Sequence, residues 1–295
     1  MKKTIFTGSA VAIVTPFTKD NKINFNKLGE LIEFQIKNGT DCIVACGTTS
    51  ESPTLSHEEH CAVIKFAIDT VSGRVPVVAG TGSNDTSYAL KLSLEAQEMG
   101  ADALLMVTPY YNKASQRSII KHFNYIADKV NTPIIVYNVP SRTGFNILPE
   151  TYAELAKHQN IAAIKEANGD ISSVVKTISL CGDLVDVYSG NDDQIVAMMS
   201  LGAKGVISVA SNIMPAETHD MATLALGGNF KEAAKLQLDL LDIFNALFMD
   251  VNPVPVKEAM NLMGMDVGSC RLPLCDMEEN KINALKNIMK KHNLI

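Results

Sequence analysis

Six cysteines occur in 295 residues, at Cys42, Cys46, Cys61, Cys181, Cys270 and Cys275, and no two form a C-x-x-C pair. The only short histidine spacing is His57 with His60. This gives little basis for a disulfide framework or a cysteine-rich metal centre. Most of the thiols lie in apolar runs, where cysteine packs as a small hydrophobe, so reduced core thiols in a cytoplasmic protein are the expectation. Clustered lysine and arginine are missing too, and the net charge is -6. That argues against a nucleic-acid partner or an anionic membrane surface. No run approaches the roughly 18 apolar residues of a membrane span. Lys2 and Lys3 ahead of Ser9–Val14 superficially resemble a secretion signal. The apolar run is too short, Gly8 and Ser9 interrupt it and Pro16 follows, so it reads as a first strand. The turn after it, Thr15-Pro16-Phe17, contains no glycine, unlike the first turn of a dinucleotide-binding sheet.

Eight short apolar runs are present: 10–14, 42–46, 76–79, 103–107, 133–137, 161–164, 185–188 and 205–209. They are continuous rather than alternating, as parallel strands covered on both faces require. Amphipathic stretches lie between them, with start signals at Asn24, at Ser56 with Glu59, at Asp85 and at Pro149, and glycine stops at Gly39, Gly100 and Gly202. Eight βα units in about 225 residues predict a (β/α)8 TIM barrel over 1–227. After Gly227-Gly228 three helical stretches follow without a strand: 230–248, 256–263 and 277–292. They predict a small C-terminal helical appendage, 228–295, for packing or oligomer contacts.

In such a barrel the reacting groups stand at the C-terminal ends of the strands. Those positions hold Thr48 and Thr49, Tyr110 and Tyr111, Tyr137, Arg142, Lys165, and Asp192 with Asp193. No His/Asp/Glu set there suits a metal, and the two aspartates after strand seven would repel a phosphate. A carboxylate held by hydroxyls and backbone N–H groups fits better. Lys165 ends an apolar run, and one reading is an ammonium that snorkels to water. The other is a desolvated amine acting as a nucleophile toward a small carbonyl compound. The second needs a pKa brought from about 10.4 toward neutrality, roughly 4 kcal/mol of differential stabilisation. Burial beside Ile161, Ala163 and Ile164 is the expected source.

Three motifs, GTTSES at 47–52, YNVPSRTG at 137–144 and IKEA at 164–167, resemble the pyruvate-dependent class I aldolase and N-acetylneuraminate lyase family. The likeness runs nearly end to end. It implies that Lys165 forms an imine with pyruvate, without metal or pyridoxal phosphate, and that Tyr137 is the general acid/base. Thr48 and Tyr111 would complete a proton relay, Tyr111 reaching in from a neighbouring subunit; between Tyr110 and Tyr111 only the resemblance chooses. Thr49 and the backbone at Ile207 would hold the pyruvate carboxylate, Gly190 would line the pocket, and Arg142 would meet the carboxylate of aspartate semialdehyde. The implied assembly is a homotetramer, a dimer of dimers. Some relatives bind lysine as an inhibitor, and Ser52, His57, His60, Asn84 and Tyr110 match that site. Tyr88 stands where those relatives have a glutamate, so weak or absent lysine sensitivity is expected. Ser50 replaces a usual glycine, implying either a permitted backbone or mild strain. Two other functions stay open: a lyase acting on N-acetylneuraminate or a keto-deoxy sugar acid, and a non-catalytic barrel that binds a keto acid.

Overall fold

The structure, a computed structural model, describes residues 2–295. Eight strands form a closed barrel in chain order: β1 (Gly8–Ala12), β2 (Cys42–Ala45), β3 (Val77–Gly80), β4 (Ala103–Val107), β5 (Ile134–Asn138), β6 (Ile161–Glu166), β7 (Asp186–Ser189) and β8 (Gly205–Ser208). All neighbouring pairs are parallel, β8 closing on β1 through Ala10 opposite Ile207. Each run predicted as a strand overlaps one of these. The sixth runs one residue further than expected: β6 includes Lys165, as the strand-end reading has it, and continues to Glu166.

The caps read from the sequence form as expected. Asn24 accepts from the Lys27 N–H, Ser56 and Glu59 make a reciprocal capping box, and Asp85 accepts from the Ser87 N–H. Each bond satisfies an N–H that the first helical turn leaves open. Alternation along the strands sorts side chains between two cores. Ile43, Leu104, Ile134 and Ile164 pack outward under the helices. Ala10, Ala12, Ala103, Ala163, Ile135 and Ile207 fill the lumen. Phe6, just ahead of β1, stacks on Tyr188 with ring centroids 4.2 Å apart, and the Tyr188 hydroxyl donates to the Phe6 carbonyl at 2.7 Å. The N-terminal end of the lumen is thereby plugged, and the open end is the one where the strands finish.

The chain after the barrel differs from expectation at one break. The stretch predicted as one helix over 230–248 is two, Phe230–Asp239 and Leu241–Ala246, separated at Leu240. The bend lets Phe230–Asp239 pack on Pro215–Leu226 while Leu241–Ala246 packs on Glu279–Lys291. Apolar periodicity alone does not encode such a change of direction. Among the described residues no helix is long and apolar enough to cross a membrane.

This C-terminal region also reaches into the barrel mouth. Lys257 Nζ donates to Glu51 Oε1 at 2.6 Å, both side chains being almost wholly buried. The Arg271 N–H donates to Glu51 Oε2 at 2.8 Å, and the Arg271 guanidinium grips Glu59 with two bonds of 2.6 Å. Lys257 Nζ and Arg271 Cζ lie 4.2 and 4.3 Å from the centre of the Phe17 ring. Residues more than 200 positions apart thus clamp the loop after β2. Lys257→Ala, which leaves Glu51 buried without its cation, should lower the unfolding free energy by about 3–5 kcal/mol in urea denaturation. A loss below 1 kcal/mol would mean that water reaches the carboxylate.

Candidate active site

Register places Lys165 between Tyr137 on β5 and Tyr188 on β7, each its direct partner across the sheet. Lys165, Tyr137, Tyr188 and Ala163 all face the lumen, whereas Ile161 and Ile164 face the helices. The expected source of desolvation is therefore corrected. Of the three apolar neighbours in sequence only Ala163 shares the lumen, and the rest of the low-dielectric wall comes from other strands, including Val44 and Leu105.

The Lys165 amine lies 4.3 Å from the centre of the Tyr137 ring, and the residue as a whole is 6% exposed. Burial penalises the ammonium and brings its pKa down to about 8; the Asp192 carboxylate opposes the change and the Arg142 guanidinium reinforces it. At pH 7.5 roughly one amine in four is then neutral, against about one in a thousand for an ordinary lysine. Gly190 leaves room for the lysine stem: a Cβ there would meet Lys165 Cε at 3.1 Å and Ala167 Cβ at 2.8 Å.

The two flanking tyrosines are not equivalent. Tyr188 spends its hydroxyl on the Phe6 carbonyl. Tyr137 lines the open cavity. Burial raises its pKa, while Arg142 and the adjacent Thr48 hydroxyl work in the opposite direction. A phenol so placed is protonated at neutral pH and ready to donate.

A cavity of about 190 Å³ joins Lys165 and Tyr137 to Thr48, Thr49, Arg142 and Gly190. Ile207 is wholly buried in the lumen and does not line it; Val209, two residues on, does. Two groups to which the sequence assigned no part in shaping the site arrange the mouth. Asn252 donates from Nδ2 to Thr49 Oγ1 at 3.0 Å, and its backbone carbonyl accepts from Arg142 Nη2 at 2.9 Å. Asp192, expected only as a charge hostile to phosphate, is buried and accepts the N–H groups of Val209 and Ala210 at 3.1 and 3.0 Å. Backbone donors after the last strand, a usual phosphate cradle in barrels, are thus already occupied. Glu166, part of the IKEA motif, was also missed. It turns outward, accepts from the Tyr152 hydroxyl at 2.8 Å and the Asn138 amide at 2.9 Å, and burial raises its pKa to about 7. The Asn138–Glu166 pair lies one step beyond Tyr137–Lys165 in the same register and ties β5 to β6 at that level.

Tyr111 is not part of this constellation within one chain. It is 92% exposed, has a φ of 74°, and lines neither this cavity nor the one beside it. The neighbouring cavity, about 390 Å³, shares Thr48, Val139 and Arg142 with the first and contains Ser52, His60, Tyr88 and Tyr110. His57 and Asn84 do not line it. His57 turns toward Tyr88 and Glu95, and the Asn84 carbonyl accepts from Asn112. No Asp or Glu lines this cavity among the described residues. The Ser50 question also resolves. Ser50 itself avoids positive φ, which falls instead on Cys46 (57°) and Glu51 (56°), and its hydroxyl donates to the Ile13 carbonyl.

The chain is a closed parallel barrel with a buried lysine and a cavity-lining tyrosine at its strand ends. The Dihydrodipicolinate synthetase family model matches residues 5–292, and the chain belongs to that family. It is 55% identical to the 4-hydroxy-tetrahydrodipicolinate synthase of Acetivibrio thermocellus over 295 residues, 100% of both chains. The enzyme of the same name from Clostridium novyi is 54% identical over 290 residues, 98% of each. Among solved structures, the chloride-inhibited dihydrodipicolinate synthase from Acinetobacter baumannii complexed with pyruvate superposes with a TM-score of 0.97 at 42% identity, covering 99% of this chain and 100% of that one.

Competitive amine acetylation followed by peptide mass spectrometry should give Lys165 a midpoint of about 8. Because burial disfavours the ammonium, its reactivity should climb as the pH rises through that value. A midpoint near 10, as for exposed lysines, would mean that the lumen does not suppress the charge.

Proposed function

We infer that this protein is a lyase that condenses pyruvate with L-aspartate 4-semialdehyde to 4-hydroxy-tetrahydrodipicolinate, in lysine and diaminopimelate biosynthesis. The observation that carries the reading is the Lys165 amine, held in the lumen against Tyr137 with its charge partly suppressed. Full-length identity to enzymes of that name supports it.

The chemistry follows from the groups present, with no metal and no pyridoxal phosphate. The neutral Lys165 amine adds to the pyruvate ketone, and Tyr137 protonates the departing oxygen so that water leaves and an imine forms. The iminium draws electrons from the adjacent methyl carbon, which loses a proton to the Tyr137 phenolate left by the first step and gives an enamine. That carbon attacks the aldehyde of the second substrate, whose oxygen takes up the proton. The amino group of the semialdehyde then adds to the imine carbon and displaces Lys165, closing the ring and freeing the enzyme. Thr49 keeps its hydroxyl proton for the pyruvate carboxylate, since it accepts rather than donates in its bond to Asn252. Arg142, braced on the Asn252 carbonyl, offers the remainder of its guanidinium fork to the second carboxylate.

Tyr111 bears on assembly. A large aromatic on positive φ and almost fully exposed gains nothing from its own chain, so the relay Thr48–Tyr137–Tyr111 is completed by a second copy. The assembly is a homotetramer built from such pairs, working in the cytoplasm, where its free thiols stay reduced.

Borohydride added with pyruvate should attach a reduced adduct to Lys165, visible by mass spectrometry and lost in Lys165→Ala. Tyr137→Phe should lower kcat roughly 100- to 10,000-fold in an assay with aspartate semialdehyde. Turnover of N-acetylneuraminate in preference to the semialdehyde would reassign the substrate, and pyruvate binding without an adduct would make the barrel a mere binder.

Lysine inhibition should be weak, because the cavity that would receive it presents the Tyr88 phenol and no carboxylate to the ammonium. Tyr88→Glu should tighten lysine inhibition about 10- to 100-fold, the equivalent of a charge-assisted hydrogen bond of roughly 1.5–3 kcal/mol. Submillimolar lysine inhibition of the unaltered protein would refute this.

A further inference from the structure

Beside the second cavity, and outside the catalytic groups, three side chains of different chemistry converge. His57 and Cys61 lie four residues apart on one face of the helix His57–Val71, and Glu95 comes from the adjoining helix Thr86–Met99. The separations are 3.3 Å from His57 Nε2 to Glu95 Oε2, 3.5 Å from Cys61 Sγ to Glu95 Oε2, and 3.9 Å from Cys61 Sγ to His57 Nε2. We propose that His57 Nε2, Cys61 Sγ and Glu95 Oε2 form a site for one divalent transition ion of the zinc type.

The metric fits. Zinc bond lengths of about 2.1 Å to nitrogen and oxygen and about 2.3 Å to sulfur, set at tetrahedral angles, give edges of about 3.4 Å for N···O and about 3.6 Å for S···O and S···N. The three observed separations trace one face of that tetrahedron to within about 0.3 Å. A fourth position, not filled by this side-chain set, would take a water. The supporting contacts fit as well. His57 Nδ1 lies 3.4 Å from the Tyr88 hydroxyl, so the ring can donate there and turn the Nε2 lone pair toward the ion. Lys91 approaches the other Glu95 oxygen, Oε1, at 4.0 Å and leaves Oε2 to the cluster. The side chains of His57 and Glu95 are 26% and 29% exposed, enough for an ion to enter. The mixed nitrogen, sulfur and oxygen set suits zinc better than magnesium or calcium, which take oxygen alone. Occupancy would pin the two helices together behind Tyr88, which lines the 390 Å³ cavity. The site is independent of the reaction proposed above.

The test is a Co2+ titration of the purified full-length chain under reducing, anaerobic conditions, followed by absorbance. The expected result is one ion per chain with a near-ultraviolet thiolate-to-cobalt band and visible bands of tetrahedral intensity, both removed by Zn2+. Cys61→Ser should eliminate the near-ultraviolet band, and Glu95→Gln should weaken binding on the order of 10- to 100-fold. Cys275→Ser, at an exposed thiol elsewhere, should change neither. Absence of the thiolate band in the unaltered protein, or its persistence in a folded Cys61→Ser chain, would overturn the site. Unchanged affinity in Glu95→Gln would do the same.

Discussion

An amine held inside a ring of strands is the constraint on which the rest depends. Lysine enters a low-dielectric space only if its charge is opposed or surrendered, and here both occur in part. Asp192 pulls the amine toward the ammonium, while burial and Arg142 push it toward the neutral form. The barrel makes this balance possible by geometry. Small residues at Ala10, Ala12, Ala103 and Ala163 leave space in the lumen, Gly190 leaves space for the lysine stem, and the Phe6–Tyr188 stack closes the far end. The amine therefore has one exit, and Tyr137 stands in it.

The surroundings set which donors the mouth has free. Asp192 has taken the N–H donors that follow β8, so those left lining the cavity are the hydroxyls of Thr48 and Thr49 and the guanidinium of Arg142. On the outer side of the same strands, Glu166 is ringed by Tyr152, Asn138 and the Asn168 N–H. That network fixes β5 against β6 where Lys165 and Tyr137 face each other. Inner chemistry and outer scaffold meet within two consecutive residues, Lys165 and Glu166.

Much of this was legible in the sequence because it rests on local pattern. Continuous apolar runs mark the doubly covered strands, and caps at Asn24, Ser56 and Asp85 mark helix starts, since both depend on residues a few positions apart. The strand-end rule alone brings Lys165, Tyr137, Thr48, Thr49 and Arg142 together. What stayed hidden depends on distance or on direction. Asn252, Lys257 and Arg271 act on Thr49 and Glu51 from 203 to 220 residues away, and no spacing announces that. The break at Leu240 and the short helix Pro140–Thr143 are changes of path, to which apolar periodicity is blind. Ile161 and Ile164 lie close to Lys165 in sequence yet face the helices, because a continuous apolar run does not reveal which of its residues point into the lumen.

The clamp on Glu51 has a consequence in time. A chain made from its N-terminus completes the loop after β2 early, when less than a fifth of its length exists. Lys257 and Arg271 emerge only near the end of synthesis. Until then Glu51 lacks Lys257 and the Arg271 N–H, Thr49 lacks Asn252, and the loop is held to β1 only through Ser50 and its neighbours. A nascent barrel with all eight strands in place would still hold a half-made pocket, and the newborn enzyme would stay silent until its tail arrived.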